Sequence, residues 1–123
     1  EEAIAYAKTR IQFGQPIIKN QAIAFKLADM AIQIETARQI VANACTRMDM
    51  GLPYGKESAI AKCYGGDVAV KVTSEAVQIF GGYGYSREYP VEKLMRDAKI
   101  YQIFEGTNEI QRVVIANHLM KEY

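Results

Sequence analysis

From Ala22 to Met48, apolar residues recur at Ile23, Leu27, Met30, Ile34, Ala37, Val41, Ala44 and Met48. That interval of three or four lines one face of an α-helix. Gly51-Leu52-Pro53-Tyr54-Gly55 interrupts it with the residues of a tight reversal, after which Ala61, Tyr64, Val68, Val72, Ala76 and Ile79 resume the spacing. The pattern predicts two long antiparallel helices joined by a short turn, with Leu52 folded back over their ends. Ahead of them, Glu1 to Arg10 reads as the end of a helix that begins upstream, halted around Phe13-Gly14 and Gln15-Pro16. Behind them, Gly81 to Gly84 reads as a flexible loop and Pro90 as the first turn of a short helix. Gly106 or Thr107 starts a last helix, whose first-turn Glu109 suits the helix dipole. With no strand-like alternation, repeat or low-complexity segment, the expected fold is all-α: four main helices and one short extra piece in an up-and-down four-helix bundle. Gly65-Gly66 falls inside the second long helix, where each glycine costs about 1 kcal/mol relative to alanine. Close approach of a neighbour and a local kink both explain the pair.

Composition narrows the function classes. At 123 residues the chain fits one domain with one core. Half the residues are hydrophobic, but charges break every apolar run well short of a bilayer span, so a soluble chain is expected. A net charge of +1 with dispersed Lys and Arg disfavours nucleic acid as a partner. Cys45 and Cys63 lack paired spacing and read as buried free thiols, and His118 is the only histidine, so no metal site is expected. The start at Glu1, helix-like and with neither methionine nor leader, reads as a cut through a longer protein.

Three short constellations hold candidate chemistry. Glu105 follows the apolar run Ile100 to Phe104 and precedes Gly106 just ahead of a helix, so it is expected at the edge of an apolar pocket. Desolvation there raises a carboxylate toward neutrality and makes it a useful base; the plainer alternative is a solvated residue near a helix start. Arg10, Gln12 and Phe13 offer a guanidinium, an amide and an aromatic face, a set that suits a nucleotide, although an Arg at a helix C-terminus also simply satisfies the dipole. Gln78 with Gly81-Gly82 sets an amide beside bare backbone that a ligand can approach, or else is a helix terminator followed by a turn. No P-loop lysine follows these glycines. Arg96 and Asp97 are expected to pair with partners on other elements, and Tyr83, Tyr85 and Tyr89 to pack structurally.

In chain order stand Arg10-Ile11-Gln12-Phe13-Gly14-Gln15-Pro16-Ile17, Gln78-Ile79-Phe80-Gly81-Gly82-Tyr83-Gly84-Tyr85, Tyr89-Pro90-Val91-Glu92-Lys93-Leu94-Met95-Arg96-Asp97-Ala98-Lys99, and Tyr101 through Arg112. Together, over nearly the whole length, these resemble the C-terminal domain of the acyl-CoA dehydrogenases, in the short- and medium-chain, butyryl-CoA dehydrogenase-like branch. The resemblance implies that Glu105 removes the pro-R α-proton of an acyl-CoA while the β-hydrogen leaves as hydride to flavin N5, giving a trans-2-enoyl-CoA. It further implies that the Glu105 N–H and a ribityl hydroxyl of FAD bind the thioester carbonyl, and that Gly106 and Phe104 line the acyl site.

By the same likeness Arg10, Gln12, Phe13 and Gln21 reach the FAD of a neighbouring subunit, Gln78, Gly81 and Gly82 lie beside its adenosine diphosphate part, and Thr107, Asn108 and Glu109 touch the chain's own FAD. A homotetramer follows, with an electron-transfer flavoprotein as electron acceptor, in the cytoplasm of a bacterium or the mitochondrial matrix of a eukaryote. The likeness makes residues 1–123 the C-terminal helical domain of a larger enzyme. The family's N-terminal helical and middle β domains have no counterpart in the chain, so the fragment alone is expected to hold FAD weakly and to be inactive. Phe104 stands where tyrosine is frequent, Gln12 where threonine is, and Asn108-Glu109 where a small residue and glutamine are. These departures bear on chain length and FAD contacts more than on the reaction. The rival expectations are an acyl-CoA oxidase and a catalytically silent helical oligomerisation module.

Overall fold

The computed structural model describes residues 1–123. It contains helices α1 (Glu2–Thr9), α2 (Gln21–Asp49), α3 (Gly55–Phe80), α4 (Val91–Ala98) and α5 (Asn108–Glu122), with 3-10 turns at Ile17–Lys19, Gly81–Tyr85 and Lys99–Gln102. The all-α expectation holds. Helix α3 is the hub: α2, α5, α4 and α1 all pack on it. The periodic stripe explains why, since Ala61, Val68 and Ile79 are buried along α3 and Ala44 along α2. A Lys26–Glu75 ion pair also spans α2 and α3, and Lys56–Glu122 at 2.6 Å ties α3 to α5.

The main core lies where α1, the end of α3 and the start of α4 meet. It comprises Ala3, Ala7, Ile17, Ile79, Phe80 and Val91, with Ile23, Leu27 and Met30 of α2 packed against it. Tyr6 stacks on Phe80 with centroids 4.1 Å apart, and Tyr89 meets that ring edge-on at 5.3 Å. Gly84 sits against this cluster, and a Cβ there would lie 2.6 Å from the Val77 carbonyl oxygen and 2.7 Å from Phe80 Cβ. Gly84→Ala is therefore expected to lower stability by about 1–3 kcal/mol, the range for overpacking against atoms that cannot swing away; thermal unfolding followed by helical circular dichroism measures it.

The core is thin for the chain's length. Accessible surface is 8301 Å², against roughly 6,600 Å² for a folded monomer of this mass. Large apolar side chains stand exposed along α2 (Phe25, Ile32, Val41) and α5 (Ile110, Val113, Met120). No helix is long and apolar enough to cross a membrane.

Several local expectations change. Ile11–Gln12 and Gln15–Pro16 form a short antiparallel ladder, Ile11 opposite Pro16 and Gln12 opposite Gln15. Its two-residue loop has positive φ at both Phe13 (52°) and Gly14 (79°), the dihedral signature of a type I′ hairpin. Leu52 is exposed; instead Arg47 closes the α2–α3 reversal, its Nε donating to the Pro53 carbonyl at 2.8 Å and lying 3.5 Å from Glu57. Arg96 and Asp97 pair within α4, with Glu92 and Lys93 one turn earlier, because four-residue spacing faces them together. Cys63 is buried as expected, whereas Cys45 lies on the outer face of α2 and is exposed. Close approach explains Gly66, where a Cβ would come within 2.9 Å of the Tyr101 carbonyl oxygen, while Gly65 has open space.

Candidate functional site

The candidate residues gather in two places. The first is a cleft of about 590 Å³ between α1, the hairpin and the end of α3, bringing Arg10, Gln12, Gly81 and Gly82 together over Tyr6 and Phe80. Arg10 caps α1, its N–H bonded to the Tyr6 carbonyl at 2.8 Å, and its own carbonyl accepts from Ile17 N–H at 2.9 Å. Its guanidinium carbon stands 5.2 Å from the centre of the Tyr83 ring, a cation–π geometry that holds the charge at the cleft. Gly81 ends α3 with φ 63° and ψ −140°, a conformation that side chains exclude, and a Cβ at Gly81 or Gly82 would meet nothing within 4 Å. The result is a shallow basic cleft with an aromatic floor and bare backbone at its rim. Gln78 is exposed one turn before it, and Gln21 is exposed in the first turn of α2.

Phe13 is 98% exposed at the hairpin tip, turned outward. Chain geometry thus offers that ring to something other than this chain's own cleft.

The second place is the turn before α5. Glu105 (φ 53°) and Gly106 (φ 86°) are successive residues in the left-handed region. Phe13 and Glu105 are the two non-glycine residues with positive φ, and both are candidate site residues. Such conformations persist where surroundings enforce them, and they concentrate at functional sites. Gln111 Nε2 spans the turn, donating to the carbonyls of Glu105 (3.4 Å) and Gly106 (3.3 Å); a Cβ on Gly106 would lie 2.8 Å from that nitrogen. Thr107 is the N-cap, its hydroxyl accepting from Ile110 N–H at 3.3 Å. The Glu105 and Gly106 N–H groups donate to no acceptor within the chain.

Two expectations are corrected here. Glu105 was expected against an apolar pocket edge, but its side chain is exposed, beside the exposed Tyr101, Ile103 and Phe104. The left-handed turn swings it away from the helices, so this chain alone does not desolvate it. Asn108 was expected on a cofactor, but it is only 2% exposed and its amide is spent inside the chain. Nδ2 donates to the Cys63 carbonyl (3.0 Å) and to Asp67 Oδ1 (2.9 Å), and Oδ1 accepts from Lys62 Nζ (2.8 Å). Thr107 and Glu109 border a polar recess of about 330 Å³ with Asp67, Lys99, Gln102 and Arg112.

The sequence reading missed Tyr83 as the platform under Arg10, and missed Asp67, Gln102 and Gln111 behind the turn. The mid-helix glycine pair just before Asp67 was the available signal. The two places are far apart: Asp67 and Phe80 are thirteen residues apart on α3, about 20 Å at 1.5 Å per residue. One chain does not bring its two groups together.

Comparison with known proteins gives a consistent picture. The family described as acyl-CoA dehydrogenase, C-terminal domain, matches residues 1–120. An acyl-CoA dehydrogenase of Bacillus subtilis is 56% identical over 120 residues, 98% of this chain and 32% of that protein. The structure of butyryl-CoA dehydrogenase from Megasphaera elsdenii superposes with a TM-score of 0.95 at 56% identity, over 97% of this chain and 31% of that one. A structure described as the electron transferring flavoprotein of Acidaminococcus fermentans superposes with a TM-score of 0.96 at 51% identity, over 98% of this chain and 32% of that one. The chain thus spans about a third of the length of the relatives it matches.

Proposed function

The chain belongs to the acyl-CoA dehydrogenase family, as its C-terminal domain, and from that membership we propose that it serves, within a longer protein, the FAD-dependent α,β-dehydrogenation of short- to medium-chain acyl-CoA. The observation that carries the reading is the turn, where a lone carboxylate on a left-handed backbone stands beside peptide N–H groups that have no partner in the chain. Those are the two things the reaction asks of protein: a proton acceptor, and a donor for the thioester oxygen as negative charge develops on it. Glu105 takes the α-proton and its N–H holds the carbonyl, while Gly106 and Phe104 line the acyl chain.

The first cleft fits the charged end of a dinucleotide, with a guanidinium held in place by Tyr83 and glycine backbone that a phosphate can approach closely. Arg10, Gln12, Gly81 and Gly82 would hold FAD there with Gln78 and Gln21, and bound FAD supplies the hydride acceptor. Thr107 and Glu109 would face the chain's own flavin. The separation of some 20 Å along α3 and the outward Phe13 support a flavin shared between two subunits, as in a homotetramer. The apolar faces of α2 and α5 support burial against further domains and chains. The likeness to the Acidaminococcus structure supports an electron-transfer flavoprotein as the acceptor.

The test is anaerobic: the flavin absorbance of the longer protein is followed as butyryl-, octanoyl- and palmitoyl-CoA are added. Bleaching is expected to be fastest with the two shorter substrates. A protein that binds no flavin, or bleaches only with palmitoyl-CoA, would refute the reading, and rapid reoxidation of the reduced flavin by oxygen would make it an oxidase.

A further inference from the structure

We propose that Asp67, on α3, is the positioning residue for the base-bearing turn. One of its carboxylate oxygens ties both ends of the loop that carries Glu105. The inference rests on the reading of Glu105 as the base and adds what holds that base in place.

Asp67 Oδ1 accepts from Gln102 Nε2 at 2.7 Å, just before the loop, and from Asn108 Nδ2 at 2.9 Å, just after it. Its other oxygen accepts from Arg112 Nη2 at 2.9 Å, one turn into α5, and Arg112 Nη1 in turn donates to the Asn108 carbonyl at 3.1 Å. The segment between the tied ends is residues 103–107. Within it Ile103 and Phe104 bond back to the Ile100 carbonyl, and the Gln111 contacts at 3.3–3.4 Å are long. Neither Glu105 nor Gly106 donates a backbone hydrogen bond. The loop's own bonding therefore does not fix where it sits on α3, and a residue in the left-handed region relaxes unless its flanks are held.

Gly66 makes the clamp possible. A Cβ there would lie 2.9 Å from the Tyr101 carbonyl oxygen and 3.3 Å from both polar atoms of the Asn108 side chain. The glycine thus lets both ends of the loop settle onto the helix within reach of the next residue, Asp67. Lys99 Nζ, 2.6 Å from Gln102 Oε1, orients the Gln102 amide so that its NH₂ faces Asp67.

The experiment uses the longer FAD-bound protein with Asp67→Ala, Asp67→Asn and Glu105→Gln variants, measuring rapid anaerobic bleaching by butyryl-CoA per bound flavin, butyryl-CoA affinity, and hydrogen exchange of the 103–107 amides. In Asp67→Ala the bond from Asn108 to the Cys63 carbonyl remains, so α5 stays docked and the Gln102 end is released. Bleaching per flavin is expected to slow about 100-fold, the order that a misplacement of 1 Å imposes. Substrate affinity should change much less, and the loop amides should exchange faster. Asp67→Asn, which keeps an oxygen for Gln102 and Asn108, should bleach at a rate closer to the parent's.

If Asp67→Ala retains too little flavin to assay, Gln102→Met, which releases one end alone, is expected to show a smaller slowing of the same sign. Parent-like bleaching per flavin in Asp67→Ala, or in Gln102→Met should that variant be needed, while Glu105→Gln is silent overturns the clamp alone. Parent-like bleaching in Glu105→Gln overturns the base assignment and the clamp with it.

Discussion

Glu105→Gln in the FAD-bound parent protein is expected to slow flavin bleaching by acyl-CoA by about 10²–10⁴-fold, the range that a positioned general base contributes, while fold and flavin content stay unchanged. The separation of the two effects follows from the turn. The Glu105 side chain makes no hydrogen bond or ion pair within the chain and is exposed, so exchanging it for the isosteric amide should shift stability by no more than about 0.5 kcal/mol. The backbone N–H that would hold the thioester is unchanged by the substitution, so acyl-CoA should still bind, and the loss should fall on the rate of bleaching rather than on affinity. A variant that binds butyryl-CoA and bleaches at the parent rate would remove the carboxylate from the mechanism. One that fails to bind would show that Glu105 holds substrate instead of taking its proton.

The exposure of Glu105 adds a condition. A carboxylate in water is a weak base for an α-proton, and burial against apolar surface makes it stronger. In this chain the apolar neighbours Tyr101, Ile103 and Phe104 are themselves exposed. On the proposed reading, desolvation comes from bound substrate, flavin and the rest of a longer protein closing over this surface. The exposed faces of α2 and α5 carry the same message for assembly.

The helices were legible because their apolar spacing is long and regular, and α3 in particular carries a buried stripe of small residues. The hairpin was not, because two residues per strand are too few to show alternation and its loop places phenylalanine where asparagine or glycine is usual. Glu105, Gly106 and Thr107 could be placed at the start of the last helix from local signals, and the capping role of Thr107 came out as its residue type suggests. What lay beyond reach was the tertiary wiring. Nothing in Asn108 as a letter distinguishes an amide that meets a cofactor from one buried against Cys63 and Asp67, forty-odd residues away on another helix. The exposure of Cys45 likewise turns on which side of α2 its neighbours leave uncovered.

The Asn108 wiring leads to the second large effect: Asn108→Leu is expected to lower stability by about 1–3 kcal/mol, because it removes the buried amide that adds a bond to the Cys63 carbonyl and takes a partner from each of Lys62 and Asp67. Leucine is close enough in volume that the loss comes from polar groups left unpaired. Acid should shrink the difference. Burial alone would raise the Asp67 carboxyl, but hydrogen bonds from Gln102, Asn108 and Arg112, with the Arg112 charge, together outweigh it and hold the carboxyl below its ordinary value. A carboxyl depressed in the folded state stabilises above its unfolded value, about 3.9 for aspartate, and that contribution disappears as pH falls through the lower folded value. Its side chain is 41% exposed, which keeps the contribution small. With one of three donors gone, the variant has less of this contribution to lose. Urea unfolding at pH 7 and pH 2 should therefore show parent and variant closer together in acid. A gap that is the same at both pH values would mean that the Asn108–Asp67 bond contributes nothing to stability, and that the loss arises at Cys63 and Lys62 alone.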